Sequence, residues 1–135
     1  MQPDILMQLA EQLYGLRDTR RIIPFARVAI GDGSAPDDWT PTPKFCHANV
    51  ETWVMRSPDY AIVRGWVVFD QSVLLRRFQF AAHSVIGTPD GRLLDITPSY
   101  ASQPYPFIHH PGTTEEFDQL RHQYQIMFID HYLDT

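Results

Sequence analysis

The segment Thr88-Pro89-Asp90-Gly91 constrains the fold most, because it predicts a tight turn at a defined place in the chain. Proline presets the backbone of the second turn position, and glycine readily adopts the left-handed conformation that closes a three-residue hairpin loop. The runs on either side, residues 78–86 and 92–97, are rich in the apolar side chains of strands. The sequence therefore predicts an antiparallel hairpin here, with a further strand over residues 60–69.

Helical periodicity flanks this predicted sheet on both sides. Apolar residues recur at helical spacing over residues 4–18, and again from Cys46 to Val54, where Ser57-Pro58-Asp59 stops the segment. A capping box begins at Thr113, and the apolar spacing then continues to Phe128. The predicted fold class is α+β, with helix, loop, helix, small antiparallel sheet and helix in chain order.

Size and charge limit the classes of protein to consider. A chain of 135 residues is about the size of one domain, so we predict a single domain over residues 1–135. A net charge of -5, with the arginine doublets 20–21 and 76–77 isolated, argues against a nucleic-acid partner. No apolar run approaches the roughly eighteen residues of a membrane span, so we expect no membrane partner.

The chain has one cysteine, Cys46, which therefore has no partner for an internal disulfide. Free thiols are typical of a reducing compartment, and the first residues lack the basic start and apolar run of a secretory signal. The expected location is the cytoplasm. A Gly-, Pro- and Asp-rich stretch over residues 31–43 precedes the cysteine and predicts a long surface loop.

The predicted place of Cys46 at the start of a helix favours a catalytic role for its thiol. The partial positive charge of a helix N-terminus lowers the pKa of a thiol and so favours the nucleophilic thiolate. The alternative is that a lone cysteine serves as a small buried apolar residue. A catalytic cysteine also needs an imidazole and a group that orients it, and His83 and Asp95 are candidates for these roles.

The hairpin decides whether these two side chains meet. With Pro89-Asp90-Gly91 as a three-residue loop, Val85 pairs with Asp95, and His83 lies diagonal to Asp95 on the same face. A two-residue loop would turn Asp95 to the opposite face. Taken alone, His83 is also consistent with a hydrogen-bonded strand histidine, whereas a partly buried Asp95 requires a donor or a cation.

Three segments together resemble a transglutaminase-like cysteine enzyme: Phe45-Cys46-His47-Ala48-Asn49-Val50, Ala82-His83-Ser84-Val85, and residues 90–98 with the sequence DGRLLDITP. That superfamily is similar to papain-like peptidases and to arylamine acetyltransferases, with a helix-starting cysteine followed by a histidine and an aspartate on neighbouring strands. The resemblance covers residues 45–98. It implies a papain/transglutaminase-like fold and a catalytic triad of Cys46, His83 and Asp95.

One element of the papain-like pattern is missing. Papain-like enzymes place a glutamine, which donates to the oxyanion, six residues before the cysteine, and this position is Thr40 here. The backbone N–H of Cys46 is one candidate donor, and Trp39 or Asn49 is a second.

The resemblance implies a cysteine-dependent acyl-transfer hydrolase of the peptidase or amidase class, acting on an amide or isopeptide bond of a protein or peptide through an acyl-enzyme, without a cofactor. Transglutaminase or glutamine deamidase activity follows the same chemical path. A binding module that keeps the fold without turnover is a further alternative. The last alternative is a zinc site, although the sequence has no spaced ligand pair such as Cys-x-x-Cys. Its candidate ligands are Cys46, His47, His83, Asp95, His109 and His110.

Overall fold

The computed structural model describes residues 2–26, 39, 41–98 and 104–133. Its helices are α1 (Asp4–Gly15), α2 (Cys46–Arg56), the short α3 (Ser72–Leu75) and α4 (Thr114–Tyr124), and its strands are β1 (Arg21–Ile22), β2 (Ala61–Gln71), β3 (Arg77–Gly87), β4 (Leu93–Leu94), β5 (Pro106–His109) and β6 (Phe128–Tyr132). A 3₁₀ turn covers Arg17–Thr19. Most of the predicted loop over residues 31–43 lies outside the described residues.

The strands form one sheet in the order β1-β5-β2-β3-β4, and β6 also pairs with β3. The pairings of β5 with β1 and β2, and of β3 with β4 and β6, are antiparallel. Together with the helices, this sheet confirms the predicted α+β class. Strands β1, β5 and β6 were not predicted, because short strands carry little periodicity of their own.

The hairpin between β3 and β4 has the predicted geometry. Thr88 donates its N–H to the carbonyl of Arg92 at 2.8 Å, and Gly91 has a φ of 86°, in the left-handed region. Ile86 pairs with Leu94 and Gly87 with Leu93. This register confirms the three-residue loop. The strand predicted for residues 92–97 is shorter than expected, because Asp95 forms an isolated parallel bridge with Phe25 instead.

The chain divides into two compact units, the first of which comprises Met1–Ile22, Arg64–Ala82 and Tyr105–Thr135. Its core joins one stripe of α1 to the sheet; the buried members are Leu6, Leu9, Ala10, Leu13, Trp66, Val68, Phe78, Phe80, Ile108, Phe117 and Ile129. The spacing of the α1 residues places them on one helical face. Each fully buried leucine of this stripe contributes roughly 1.5–3 kcal/mol of transfer free energy.

The second unit comprises Ile23–Val63 and His83–Pro104. Here α2 packs Val50 and Trp53 against Ile86 and Ile96, all of them nearly inaccessible to solvent. The Trp53 ring also meets the Tyr60 ring edge to face at 5.6 Å. This apolar cluster fixes the position of α2, and therefore of the cysteine at its first residue. The single domain expected over residues 1–135 stays a prediction.

The end of the chain differs from the predicted helix. Thr113 caps α4, because its side chain accepts from the N–H of Glu116 at 3.1 Å, but the helix ends at Tyr124. Gln125 takes a left-handed backbone with φ 50°, and β6 follows. The prediction that the helix continues to Phe128 is therefore wrong, and the helical spacing of that residue is a coincidence. Its side chain is about half exposed, whereas strand alternation buries Ile129.

Among the described residues, no helix combines the length and the apolar character that crossing a lipid bilayer requires.

Gly65 in β2 tests the closeness of sheet packing. A Cβ at this position would overlap the carbonyl oxygen of Ile108 and the ring of Phe107, so Gly65→Ala is expected to lower the free energy of unfolding by about 1–3 kcal/mol. Gly15 at the end of α1 is the matched control, since nothing lies within 4 Å of a Cβ there. Gly15→Ala should raise stability by about 0.5–1 kcal/mol. Urea denaturation measures both, and an unchanged Gly65→Ala variant would contradict the packing.

Candidate active site

Cys46 is the first residue of α2, as predicted, and its side chain is only 9% exposed. The residue before it, Phe45, accepts the helical bond from the N–H of Asn49 at 2.8 Å. No side chain of the described residues caps this helix end. The first N–H groups of a helix have no partner within the helix, so they direct a partial positive charge toward the sulfur.

His83 and Asp95 form the predicted contact. Nε2 of His83 lies 2.6 Å from Oδ2 of Asp95. The register of the hairpin pairs Ile86 with Leu94, and its continuation by one residue puts Val85 opposite Asp95 and His83 diagonal to it, as expected from the turn. Asp95 is 8% exposed, so its charge is buried together with a matching donor.

The thiol and the imidazole perturb each other's ionisation. Burial alone would raise the pKa of Cys46, but hydrogen bonds with His47 and His83 outweigh it and lower that pKa to about 6. Burial likewise opposes a charge on His83, yet the hydrogen bonds to Asp95 and then to Cys46 raise its pKa to about 10. At neutral pH the pair is therefore a thiolate beside an imidazolium.

A second imidazole also acts on the thiol. His47 follows Cys46 in α2 and lowers the pKa of the Cys46 thiol. Nδ1 of His47 lies 2.6 Å from the hydroxyl oxygen of Ser84, whose residue is fully buried. From the sequence, His47 was a candidate only as a metal ligand. Its place directly after the cysteine was the one available signal for a role at the thiol.

Asn49 ties the start of α2 to the segment after β4. Its amide nitrogen donates to the carbonyl of Thr42 at 2.8 Å and to Oγ1 of Thr97 at 3.0 Å, while its oxygen accepts from the N–H of Thr42. Thr97 in turn donates its N–H to Oδ1 of Asp95 at 3.1 Å. A chain of contacts thus runs from Asn49 through Thr97 to Asp95, and both carboxylate oxygens have a donor.

These contacts separate the two side chains considered as oxyanion donors. Asn49 has both its amide nitrogen and its oxygen engaged, so it supports the structure instead of pointing toward a substrate. Trp39 packs edge to face on Trp53 with ring centroids 6.5 Å apart, as part of the apolar cluster below α2. Of the three candidates, the backbone N–H of Cys46 at the helix start therefore fits the role best.

The histidine pair near the end of the chain lies in the other compact unit. His109 belongs to β5, and Nδ1 of the buried His110 accepts a hydrogen bond from the Trp66 indole at 3.0 Å. The ring of His110 also meets Phe117 edge to face. In the described part of the chain, no group of three His, Cys, Asp or Glu side chains is arranged to hold a metal ion.

An open cavity of about 280 Å³ lies along the first half of α2, and Cys46 is not among its lining residues. Its lining combines aromatic, small and neutral polar side chains: Trp39, Thr42, Phe45, Ala48, Asn49 and Thr52. All of these side chains are uncharged, so the cavity suits an uncharged group.

Comparisons of the chain with protein-family models, with curated protein sequences and with solved structures find no significant match.

The lowered thiol pKa predicts the pH dependence of alkylation. Since only the thiolate reacts, and its pKa lies below the ordinary value, the rate of Cys46 with iodoacetamide should rise with pH around a midpoint near 6 and be lost below it. His83→Ala removes the imidazolium and should move the midpoint upward. His122→Ala, on the exposed side of α4, is the control and should leave it unchanged. A wild-type midpoint near about 8.5, that of free cysteine, would contradict the ion pair.

The hydrogen bonds of Asn49 predict a structural role for its amide. Asn49→Ala leaves Thr42 and Thr97 without their buried partner and should lower the free energy of unfolding by about 3 kcal/mol. Met55→Ala is the control on the same helix, because Met55 is 74% exposed, and it should change stability little. Denaturant unfolding of the two variants makes the comparison. If Asn49→Ala were as stable as Met55→Ala, water would be replacing the hydrogen bonds of the amide at no cost in free energy.

Proposed function

We propose that this chain is a cysteine-dependent acyl-transfer hydrolase, of the peptidase or amidase class, that cleaves an amide or isopeptide bond through an acyl-enzyme on Cys46. The observation that carries the proposal is the hydrogen bond between His83 and the buried carboxylate of Asp95. The same imidazole lowers the pKa of the Cys46 thiol. Nucleophile, base and orienting group are the three parts that nucleophilic catalysis requires. The resemblance to transglutaminase-like and papain-like enzymes, and the fold that it implies, belong to the same proposal.

Acylation begins from the thiolate and imidazolium pair. The sulfur electron pair forms a bond to the carbonyl carbon, and the π electrons of the carbonyl move to its oxygen. When the intermediate collapses, the C–N bond breaks and His83 gives its proton to the departing nitrogen. Nε2 of His83 is held by Asp95, so Nδ1 is the ring nitrogen that exchanges this proton.

Deacylation reverses the proton transfer. The neutral His83 takes a proton from water, the resulting hydroxide equivalent attacks the thioester, and the carboxylic acid product leaves with restoration of the thiolate. Asp95 stabilises the imidazolium that forms again. An amine in place of water would give the transglutaminase reaction, and a glutamine side chain as acyl donor would give deamidation, without any change in these residues.

The surroundings of α2 support a protein or peptide substrate. The open cavity along α2 includes Phe45, the residue before the nucleophile, and is lined by uncharged side chains, so it suits a neutral side chain of the substrate. Phe45, which is 60% exposed directly before the nucleophile, offers an apolar surface to the same substrate. Peptide substrates with an aromatic or aliphatic residue at this position are expected to react fastest.

Asp95→Asn tests the triad. The N–H of Thr97 needs an acceptor and would claim the single oxygen of the new amide, so the amide nitrogen would face Nε2 of His83. Neutral His83 would then carry its proton on Nδ1 instead of Nε2. The negative charge of Asp95, which stabilises the imidazolium form of His83, would also be absent. Hydrolysis of a peptide anilide should fall roughly 10²- to 10⁴-fold while the fold persists.

Asp90→Asn is the matched control, because Asp90 lies exposed in the hairpin loop 89–91, and it should keep full activity. Mass spectrometry of the protein mixed with an activated ester should also show an acyl group on Cys46, absent from Cys46→Ser. Equal turnover of Asp95→Asn and wild type would contradict the triad. A thiol that acquires no acyl group at all would favour a binding module.

A further inference from the structure

We propose that His47 is a second catalytic histidine, which donates a hydrogen bond to the oxyanion formed when Cys46 attacks, and that Ser84 is its positioning residue. This inference rests on the proposed acyl-transfer function and names a residue that the triad does not contain. It also supplies the side-chain donor that the sequence left open at Thr40, where papain-like enzymes have glutamine.

His47 is both near the thiol and held in place. It follows Cys46 in the first turn of α2 and lowers the pKa of that thiol, and the Ser84 hydroxyl oxygen lies 2.6 Å from its Nδ1. Ser84 is fully buried, so its hydroxyl meets the His47 ring away from solvent. A Ser84 hydroxyl that donates to Nδ1 leaves the ring proton on Nε2, which can then donate toward the reacting atoms.

The two histidines of the site have different partners and hence different roles. Asp95 carries a charge, which stabilises an imidazolium on His83 and suits that ring to proton transfer. Ser84 carries no charge, so it orients the His47 ring without adding the same electrostatic support. A ring that is oriented and keeps its proton is suited to donate a hydrogen bond instead of transferring a proton.

The negative charge moves during the attack, and His47 is placed to follow it. In the free enzyme the charge is on the sulfur, and hydrogen bonds from both imidazoles stabilise it there. As the S–C bond forms, the charge moves to the adjacent carbonyl oxygen, and the Nε2–H of His47 turns to that oxygen without giving up its proton. The backbone N–H of Cys46 at the helix start is the second donor.

Two substitutions of His47 separate its nitrogens. In His47→Asn the amide occupies the place of Nδ1, which keeps a partner for Ser84 and removes the donor near the sulfur. In His47→Gln the amide reaches the place of Nε2, which keeps a donor and loses the partner of Ser84. Ser84→Ala removes the support of the ring while leaving both imidazoles of the site in place.

The experiment compares two reactions of the same thiol. Iodoacetamide alkylates the thiolate without forming an oxyanion, whereas p-nitrophenyl acetate acylates it through one and needs no proton for its leaving group. Rates are expressed per thiolate, with the ionised fraction taken from the pH profile of alkylation. His47→Asn should lose about 100-fold in acylation and little in alkylation. His47→Gln should recover part of the loss, and Ser84→Ala should show a smaller loss of the same kind.

Equal losses in both reactions would overturn the oxyanion role and leave His47 as a stabiliser of the thiolate. Unchanged acylation in His47→Asn would overturn the inference altogether. If that variant does not fold, unimpaired acylation per thiolate in Ser84→Ala would overturn the inference equally. Failure of the proposed function looks different, because the wild-type protein itself would then acylate no faster than a small thiol of equal pKa.

Discussion

The short hydrogen bond between His83 and Asp95 is the interaction on which the rest of the site depends. Three further hydrogen bonds fix the acceptor, Asp95. Its Oδ1 accepts from the N–H of Thr97, its backbone N–H donates to the carbonyl of Pro24, and its backbone carbonyl accepts from the N–H of Ala26. A buried carboxylate costs free energy unless donors surround it, and here backbone and side chain supply them together. The fixed carboxylate then fixes the His83 ring, and through it the charge on the thiol.

The first turn of α2 is attached to this centre at three points. Cys46 contacts His83, His47 contacts Ser84, and Asn49 reaches Thr97. Two of these contacts go to consecutive residues of β3, while the third returns to the segment that carries Asp95. Because the helix is held at several residues, the sulfur is fixed relative to both imidazoles, and preorganisation of this kind is what electrostatic catalysis requires.

Sequence patterns were misleading where two structures share a spacing. Phe128 continues the helical series of α4 but lies in β6, because the left-handed Gln125 ends the helix before it. Asn49 was a candidate oxyanion donor, yet its amide faces Thr42 and Thr97. Periodicity shows which residues share a helix face, but it does not show which atoms of a neighbouring segment they meet.

The sequence by itself determined the local features of this site. The hairpin loop at residues 88–91 fixes the register of β3 and β4, and that register brings His83 to Asp95, because pairing across a tight turn is set by a few adjacent residues. The helix start at Cys46 followed from its flanking pattern in the same way. Only the tertiary structure decided that α2 brings the thiol under the influence of His83, and that Ser84 lies against the His47 ring. Those contacts join segments far apart in the chain, and packing of the apolar cluster beneath α2 sets them, so no local pattern could encode them.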